Sequence, residues 1–228
     1  MAGMVNADAA RDRADAGKAP VAGLVLAAGA GSRFGQPKAL VRGADGVPWL
    51  VRTVRVLRAA GCSPVIVVLG AEGAAAAALL TDAGLIDAAA PAVAGPDRAT
   101  VVVHAADWAE GLSASLHAGI DTALGLAGAV GAVAVVPVDV PDLDAATVAR
   151  VLDADAGVTP DSLRQAVFGG RPGHPVLIGR AHWEPLRAQL TGDTGARPYL
   201  LAHGVLPVEC GDLTTGADVD TLPGVPEA

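Results

Sequence analysis

Val21-Ala-Gly-Leu-Val-Leu26 runs straight into Ala27-Ala-Gly-Ala-Gly-Ser-Arg-Phe-Gly-Gln-Pro-Lys38, and this stretch decides the fold. A short apolar run that ends in glycines predicts a strand buried on both faces, and hence a parallel sheet covered by helices. Gly29, Gly31 and Gly35 leave no side chain in the turn that follows, so backbone N–H groups can approach an anion closely. Arg33 can fork onto phosphate oxygens, and Lys38 supplies a point charge. These features together predict a site for a nucleoside triphosphate.

Spacing excludes the two most familiar phosphate loops. A Walker loop places Ser or Thr after its lysine, whereas Lys38 is followed by Ala39. A dinucleotide fingerprint spaces its glycines G-x-G-x-x-G, and Gly29-x-Gly31-x-x-x-Gly35 is one residue too long. The next predicted strand, Val65 to Leu69, also runs into Gly70 without a ribose-binding acid.

The remainder of the chain continues the alternation. Helices are predicted at Trp49–Ala60, Glu72–Leu80, Ser113–Leu126 and from the Asp144 cap through Leu152. Strands are predicted at Pro64–Leu69, Thr100–His104 and Ala129–Val138, the last being the most apolar. After residue 160, Gln165–Phe168 and Pro175–Ile178 predict a hairpin. A helix over Arg180–Leu190, a short helix at Arg197–Ala202 and a strand at Val205–Glu209 follow. The expected fold is a three-layer α/β/α domain over 21–228 with a mostly parallel, Rossmann-like sheet and a small C-terminal β excursion. Residues 1–20 read as a disordered leader, and about 160–215 as the subregion that closes over the acceptor.

A chain of 228 residues with a net charge of −8 suits one such domain and argues against a nucleic-acid surface. No run reaches the ~18 apolar residues of a membrane span. The leader has no apolar centre like that of a signal peptide, so a cytoplasmic protein is expected. Cys62 and Cys210 stand alone, outside any metal-ligand spacing, as buried small residues would. An anionic substrate must therefore be held locally. Asp139 ends the most buried strand, where ligands gather in open α/β sheets, and its carboxylate is the candidate holder of Mg²⁺. Asp142 and Asp144 read as turn and cap residues.

The opening stretch resembles the signature L-A-[AG]-G-x-[GS]-x-R-[MF]-G-x-x-K of the GT-A-like nucleotidyltransferases, and its short glycine-to-lysine interval resembles the MobA-like NTP transferase family. Gly111-Leu-Ser-Ala-Ser115-Leu-His-Ala-Gly119, Gly170-Arg-Pro-Gly-His174-Pro and Gly192-Asp-Thr-Gly-Ala-Arg197 resemble segments of its molybdenum cofactor cytidylyltransferases. Asp218-Val-Asp220-Thr221 resembles a late D-[IV]-D-T segment, although Leu222-Pro-Gly follows where the family continues Pro-Glu-Asp. A solvated C-terminal turn is the competing reading there.

The resemblance implies transfer of CMP from CTP to the phosphate of molybdopterin, with Mg²⁺ and release of pyrophosphate. Arg33, Lys38 and Asp139 would be catalytic, and Asp139 and Asp220 would hold the metal. Leu26, Ala27, Ala28, Gly29, Gly31, Ser32, Arg33, Lys38, Gly70, Gly111 and Ser115 would hold the nucleotide. His174, Asp193 and Arg197 would hold the acceptor, with loop-fixing hydrogen bonds as the alternative for His174 and Arg197. GTP as donor, an isoprenoid-pathway or phospholactate-type acceptor, and a non-catalytic nucleotide-binding or cofactor-carrying protein stay open. A molybdoenzyme apoprotein is the partner implied downstream.

Overall fold

Strands and helices follow in the alternation that the sequence predicts: β1 (Val21–Ala27), α1 (Trp49–Ala59), β2 (Val65–Leu69), α2 (Gly73–Asp82), β3 (Thr100–His104), α3 (Leu112–Gly125), β4 (Ala132–Pro137), α4 (Ala145–Asp153), β5 (Leu163–Phe168), β6 (Arg171–Gly179), α5 (Trp183–Arg187), α6 (Arg197–Ala202) and β7 (Leu206–Glu209). The computed structural model describes residues 20–32, 34–87, 100–126, 130–155 and 157–219. Apart from Pro20, the expected leader lies outside the described residues.

One sheet of seven strands runs in the order β3-β2-β1-β4-β6-β5-β7. β1 pairs in parallel with β2 and β4, and β2 with β3. β6 is antiparallel to both β4 and β5, while β7 is parallel to β5. The expected C-terminal excursion is thus a continuation of the main sheet, with β6 alone reversed.

Alternation along the central strands sorts the core into two layers. Val25, Ala27, Val65, Val67, Ala134 and Val136 face α1, α2 and α4. Leu24, Leu26, Ile66, Val68, Val133 and Val135 face α3, α5 and α6. Both faces of β1 and β4 are therefore covered, which is why these strands read as continuous apolar runs.

The helix expected over Arg180–Leu190 is shorter. A 3₁₀ turn at Arg180–His182 precedes α5, which ends at Arg187. Pro185 accounts for the late start: an α-helix begun at Arg180 would need a backbone N–H at Pro185 that proline lacks, whereas in the first turn of α5 none is required. Trp183 fixes the segment by donating from Nε1 to the Ile178 carbonyl at 3.0 Å.

The direction of winding positions the site. The chain places β2 and β3 on one side of β1, then crosses to β4 on the other, with α3 on the face opposite α1 and α2. This reversal opens a crevice beyond the carboxyl ends of β1 and β4. Among the described residues, no helix is long and apolar enough to cross a membrane.

Arg164 on β5 is 3% exposed. Its guanidinium donates to the carbonyls of Val151 at 3.1 Å and Leu152 at 2.8 Å, and to that of Gly157. It satisfies the carbonyls left over at the end of α4 and ties that helix to the sheet. Replacing Arg164 with Met should lower the unfolding free energy by about 3 kcal/mol, because those carbonyls stay buried without a donor. Urea denaturation should show the loss as a lower midpoint at unchanged slope.

Candidate active site

The glycine loop is pinned at both ends. Ala27 and Ala28 continue β1 into the crevice, and Ala28 accepts from the Ala71 N–H at 2.9 Å. Gly31 sits at φ +61, and a Cβ there would overlap the Gln36 carbonyl oxygen, so only glycine fits this turn. Phe34 is buried and meets Trp49 of α1 edge to face at 5.7 Å between ring centroids, anchoring the loop in the core. A 3₁₀ turn, Lys38–Leu40, buries Ala39 beneath Lys38 and aims the lysine across the crevice. Arg33 lies outside the described residues.

A cavity of about 410 Å³ follows from Leu26 through Ser32 to Lys38, Trp108, Gly111, Ser115, Asp139 and Asp193. Asp139, just past β4, meets Lys38 there, with Nζ to Oδ2 at 2.7 Å and both side chains about one-fifth exposed (17% and 20%). The structure therefore brings together Leu26, Ala27, Ala28, Gly29, Gly31, Ser32, Lys38, Gly111, Ser115 and Asp139 from the expected site. Gly70 stands behind this set. A Cβ on it would press into the Ala28 carbonyl and the Trp108 ring, so it seats the loop and the indole rather than lining the cavity.

The start of α3 is closed from a distance. Gly111, at φ +117, packs against Gly192 and Asp193 with no room for a Cβ. Asp193 Oδ1 accepts from the Leu112 N–H at 3.2 Å, and the Gly192 carbonyl accepts from Ser113 N–H at 3.0 Å. Asp193, expected to hold the acceptor, caps a helix 81 residues away in sequence and lines the first cavity. Ser113 and Ser115 supply no cap bond.

A second cavity of about 420 Å³ shares Leu26, Leu112, Pro137 and Asp139 with the first. His174 and Arg197 line it, together with Gln165 and Asp218. His174 Nδ1 lies 3.3 Å from the Val135 carbonyl. Burial holds its pKa below the ordinary 6.5, opposed by the Val135 bond and by Asp139 and Asp218. The segment after β7 is fastened across this mouth. Arg150 pairs with Asp212, Thr215 N–H donates to Asp142 at 2.9 Å, and Val219 N–H donates to the Asp139 carbonyl at 2.9 Å. Asp144 caps α4 through Thr147 N–H at 2.8 Å. Asp220 lies outside the described residues.

A divalent cation fits the donor set at Asp139. The described residues hold no group of three or more His, Cys, Asp or Glu that could form a closed metal cage. Mg²⁺ needs none, since it takes one or two carboxylates and completes its shell with phosphate oxygens and water. Asp139 offers a carboxylate on the wall shared by both cavities.

Trp108, Phe34, Gln165 and Asp218 were not among the expected site residues. Trp108 had a usable signal, as one of three tryptophans in an aromatic-poor chain and three residues before the Gly111 motif. Gln165 had none, because strand alternation does not say which outward residue faces a cavity.

A family model, the MobA-like NTP transferase domain, matches residues 23–206. A protein of Paenarthrobacter nicotinovorans named nicotine blue oxidoreductase is 35% identical over 214 residues, covering 89% of this chain and 93% of that protein. Among solved structures, Rv0371c of Mycobacterium tuberculosis H37Rv has a TM-score of 0.65 at 26% identity, covering 89% of this chain and 94% of that one. The same mycobacterial protein is known as a manganese complex, with a TM-score of 0.60 at 24% identity and 84% and 88% coverage. A nucleotidyl transferase from Methanothermobacter thermautotroptrophicus shares the fold at a TM-score of 0.63 and 22% identity, covering 84% and 87% of the two chains.

Two outcomes follow from this geometry. Asp193→Ala should cost about 1 kcal/mol in urea denaturation through the lost cap, with Asp193→Asn retaining most of it. His174 resists protonation when folded and accepts it when unfolded, so its contribution is full above about pH 6.5 and falls as pH drops below that value. Unfolding midpoints measured from about pH 8 down to about pH 5 should decline less steeply in His174→Gln than in the unaltered chain.

Proposed function

The chain belongs to the MobA-like NTP transferase family, and from that premise we propose that it transfers a nucleoside monophosphate from an NTP to a phosphorylated acceptor. CTP is the donor and molybdopterin the acceptor in this reading. The observation that carries it is the Lys38–Asp139 pair on the boundary between two cavities of similar size. A two-substrate displacement needs one substrate in each cavity and the reacting phosphorus between them.

In the proposed reaction an oxygen of the acceptor phosphate attacks the α-phosphorus of the nucleotide. A new phosphoanhydride bond forms, the bond from α-phosphorus to the bridging oxygen breaks, and pyrophosphate leaves. The nucleophile is already ionised, so no general base is required. The loop from Ala27 to Gly35 presents backbone N–H groups to the triphosphate, Trp108 offers a face for the base, and Arg33 and Lys38 neutralise charge as the bond breaks. Asp139 and Asp220 would hold Mg²⁺, which would supply positive charge against the pyrophosphate as it leaves. His174 and Arg197 meet the acceptor, and Asp193 keeps the start of α3 in place for the nucleotide.

A second reading is favoured by the 35% identity to a protein named as an oxidoreductase of nicotine blue. In it, hydride passes from a reduced nicotinamide dinucleotide to a dye in the second cavity, with a proton from solvent. The dinucleotide glycine spacing is missing here, and both cysteines are buried, with the thiol of Cys62 pushed up to about 12 by burial. Those features weigh towards phosphoryl chemistry.

Pyrophosphate release separates the readings when the protein is given Mg²⁺, molybdopterin and each of CTP, GTP, ATP and UTP. Release with CTP should fall about 10³-fold in Asp139→Asn and about 10²-fold in Lys38→Met. Release with GTP moves the donor to the guanylyl branch. Silence with every nucleotide, alongside dinucleotide oxidation in the presence of nicotine blue, overturns the transfer reading.

A further inference from the structure

The loop that leads into α6 carries a carboxylate into the first cavity and holds it there. Thr194 turns its hydroxyl back onto the Thr191 carbonyl at 2.8 Å, and the Gly192 carbonyl accepts from the Ser113 N–H at 3.0 Å. A Cβ on Gly195 would press on the Leu112 side chain, so the loop lies close against the start of α3. Asp193 uses Oδ1 for the Leu112 N–H at 3.2 Å, while its Oδ2 has no partner among the described residues. A carboxylate oxygen can only accept, so Oδ2 suits an N–H of whatever fills the cavity.

Charge decides which part of a nucleotide meets that oxygen. Among the described residues lining the cavity, Lys38 is the one cation, and it stands 2.7 Å from Asp139. Asp193 makes no ion pair with any described residue, so a triphosphate beside it would face an uncompensated negative charge. The triphosphate therefore belongs with the glycine loop and Lys38, and the uncharged base with Asp193. Trp108 is placed to share that base. The 3₁₀ turn Trp108–Glu110 delivers the chain to Gly111, whose N–H donates to the Trp108 carbonyl at 3.3 Å and whose missing Cβ would strike Asp193 Oδ1. A half-buried indole and a fixed carboxylate thus flank one glycine. Leu112, 43% exposed, adds aliphatic surface to the same cavity.

We infer that Asp193 reads the base: Oδ2 accepts a hydrogen from an exocyclic amino group, the pairing that carboxylates make with cytosine N4. The cavity then takes a 4-aminopyrimidine and rejects its 4-oxo counterpart, whose O4 turns lone pairs towards the carboxylate. One oxygen of Asp193 closes α3 and the other selects the donor nucleotide. This rests on the first cavity being the nucleotide site, but it requires neither acceptor nor transfer.

The test is a calorimetric titration of the full chain with Mg²⁺ and without acceptor. The probes are CTP, UTP and the 2-pyrimidinone riboside triphosphate, which is CTP without its amino group. CTP should bind at least about tenfold more tightly than either of the others, because a site built to accept that hydrogen is otherwise left unpaired. Asp193→Asn is the informative variant. Its side-chain oxygen can keep the Leu112 N–H, and its amide nitrogen then donates where Oδ2 accepted. The preference for CTP over UTP should fall at least about tenfold, with UTP binding more tightly than to the unaltered chain. Asp193→Ala should bind the three alike. An unchanged ratio in Asp193→Asn, or an equal loss for all three nucleotides (the mark of a metal ligand or of a cap alone), overturns the inference. Equal binding of the three by the unaltered chain overturns it too, yet leaves the nucleotide reading in place. No binding of any nucleotide overturns both. Pyrophosphate release is scored separately: a chain that binds in the expected pattern and releases none keeps the base-reading aspartate and loses the transfer reading.

Discussion

The contact between Lys38 and Asp139 holds the site in one piece. It joins residues 101 apart in sequence across the switch point, where β1 and β4 lie side by side and their following loops diverge. The glycine loop is anchored by Phe34 against Trp49 on one flank and by the 3₁₀ turn that carries Lys38 on the other. Asp139 is set by the end of β4 and by the backbone bond from Val219. A partly buried pair of opposite charge is worth more than an exposed one, and here it keeps the boundary between the two cavities locally neutral. Around that fixed point, the walls of the first cavity come from β1, the loop and the start of α3. The other walls come from β4, β5, β6 and the segment leading into α6.

Much of this was legible in the sequence, for identifiable reasons. The strands at 21–27 and 65–69 announced themselves by apolar runs ended by glycine or polar residues, because burial on both faces leaves no room for alternation. Asp139 could be located because position follows from topology once the most apolar strand is known. The start of α4 was written in Asp144, whose side chain closes onto Thr147. Distant partnerships were not legible. Nothing near Leu112 shows that its N–H is taken by Asp193, and nothing in Gly192-Asp-Thr-Gly195 says that it faces α3. The ending of α5 at Arg187 was hidden by an apolar pattern that continues to Leu190, which is buried from the loop instead.

The acidic character of the chain and its anionic substrates are compatible because charge is distributed unevenly. Asp212 and Asp142 are engaged with Arg150 and Thr215, which stitch the segment after β7 to the region after β4, and Asp144 caps α4 through Thr147. Glu209 accepts from the N–H groups of Gly169 and Gly211 at the hairpin turn, which hold its carboxyl below the usual range. These carboxylates are spent on the scaffold. The glycine loop between Ala27 and Ser32 carries no acidic side chain of its own, so backbone N–H groups set the potential along it, while Lys38 is offset by Asp139.

The segment from Asp193 to Arg197 serves both cavities, with Asp193 lining the first and Thr194 through Arg197 the second. It therefore cannot be rebuilt to reshape the second cavity without disturbing the first. The β5–β6 hairpin is under no such double duty: Gln165, His174, Val176 and Ile178 touch the second cavity alone. Divergence within this fold has a path of least resistance, in which the hairpin wall is exchanged while the glycine loop, Lys38 and Asp139 stay as they are. Chains that look alike at the loop can in this way come to act on unlike molecules, and the hairpin is where their chemistries part.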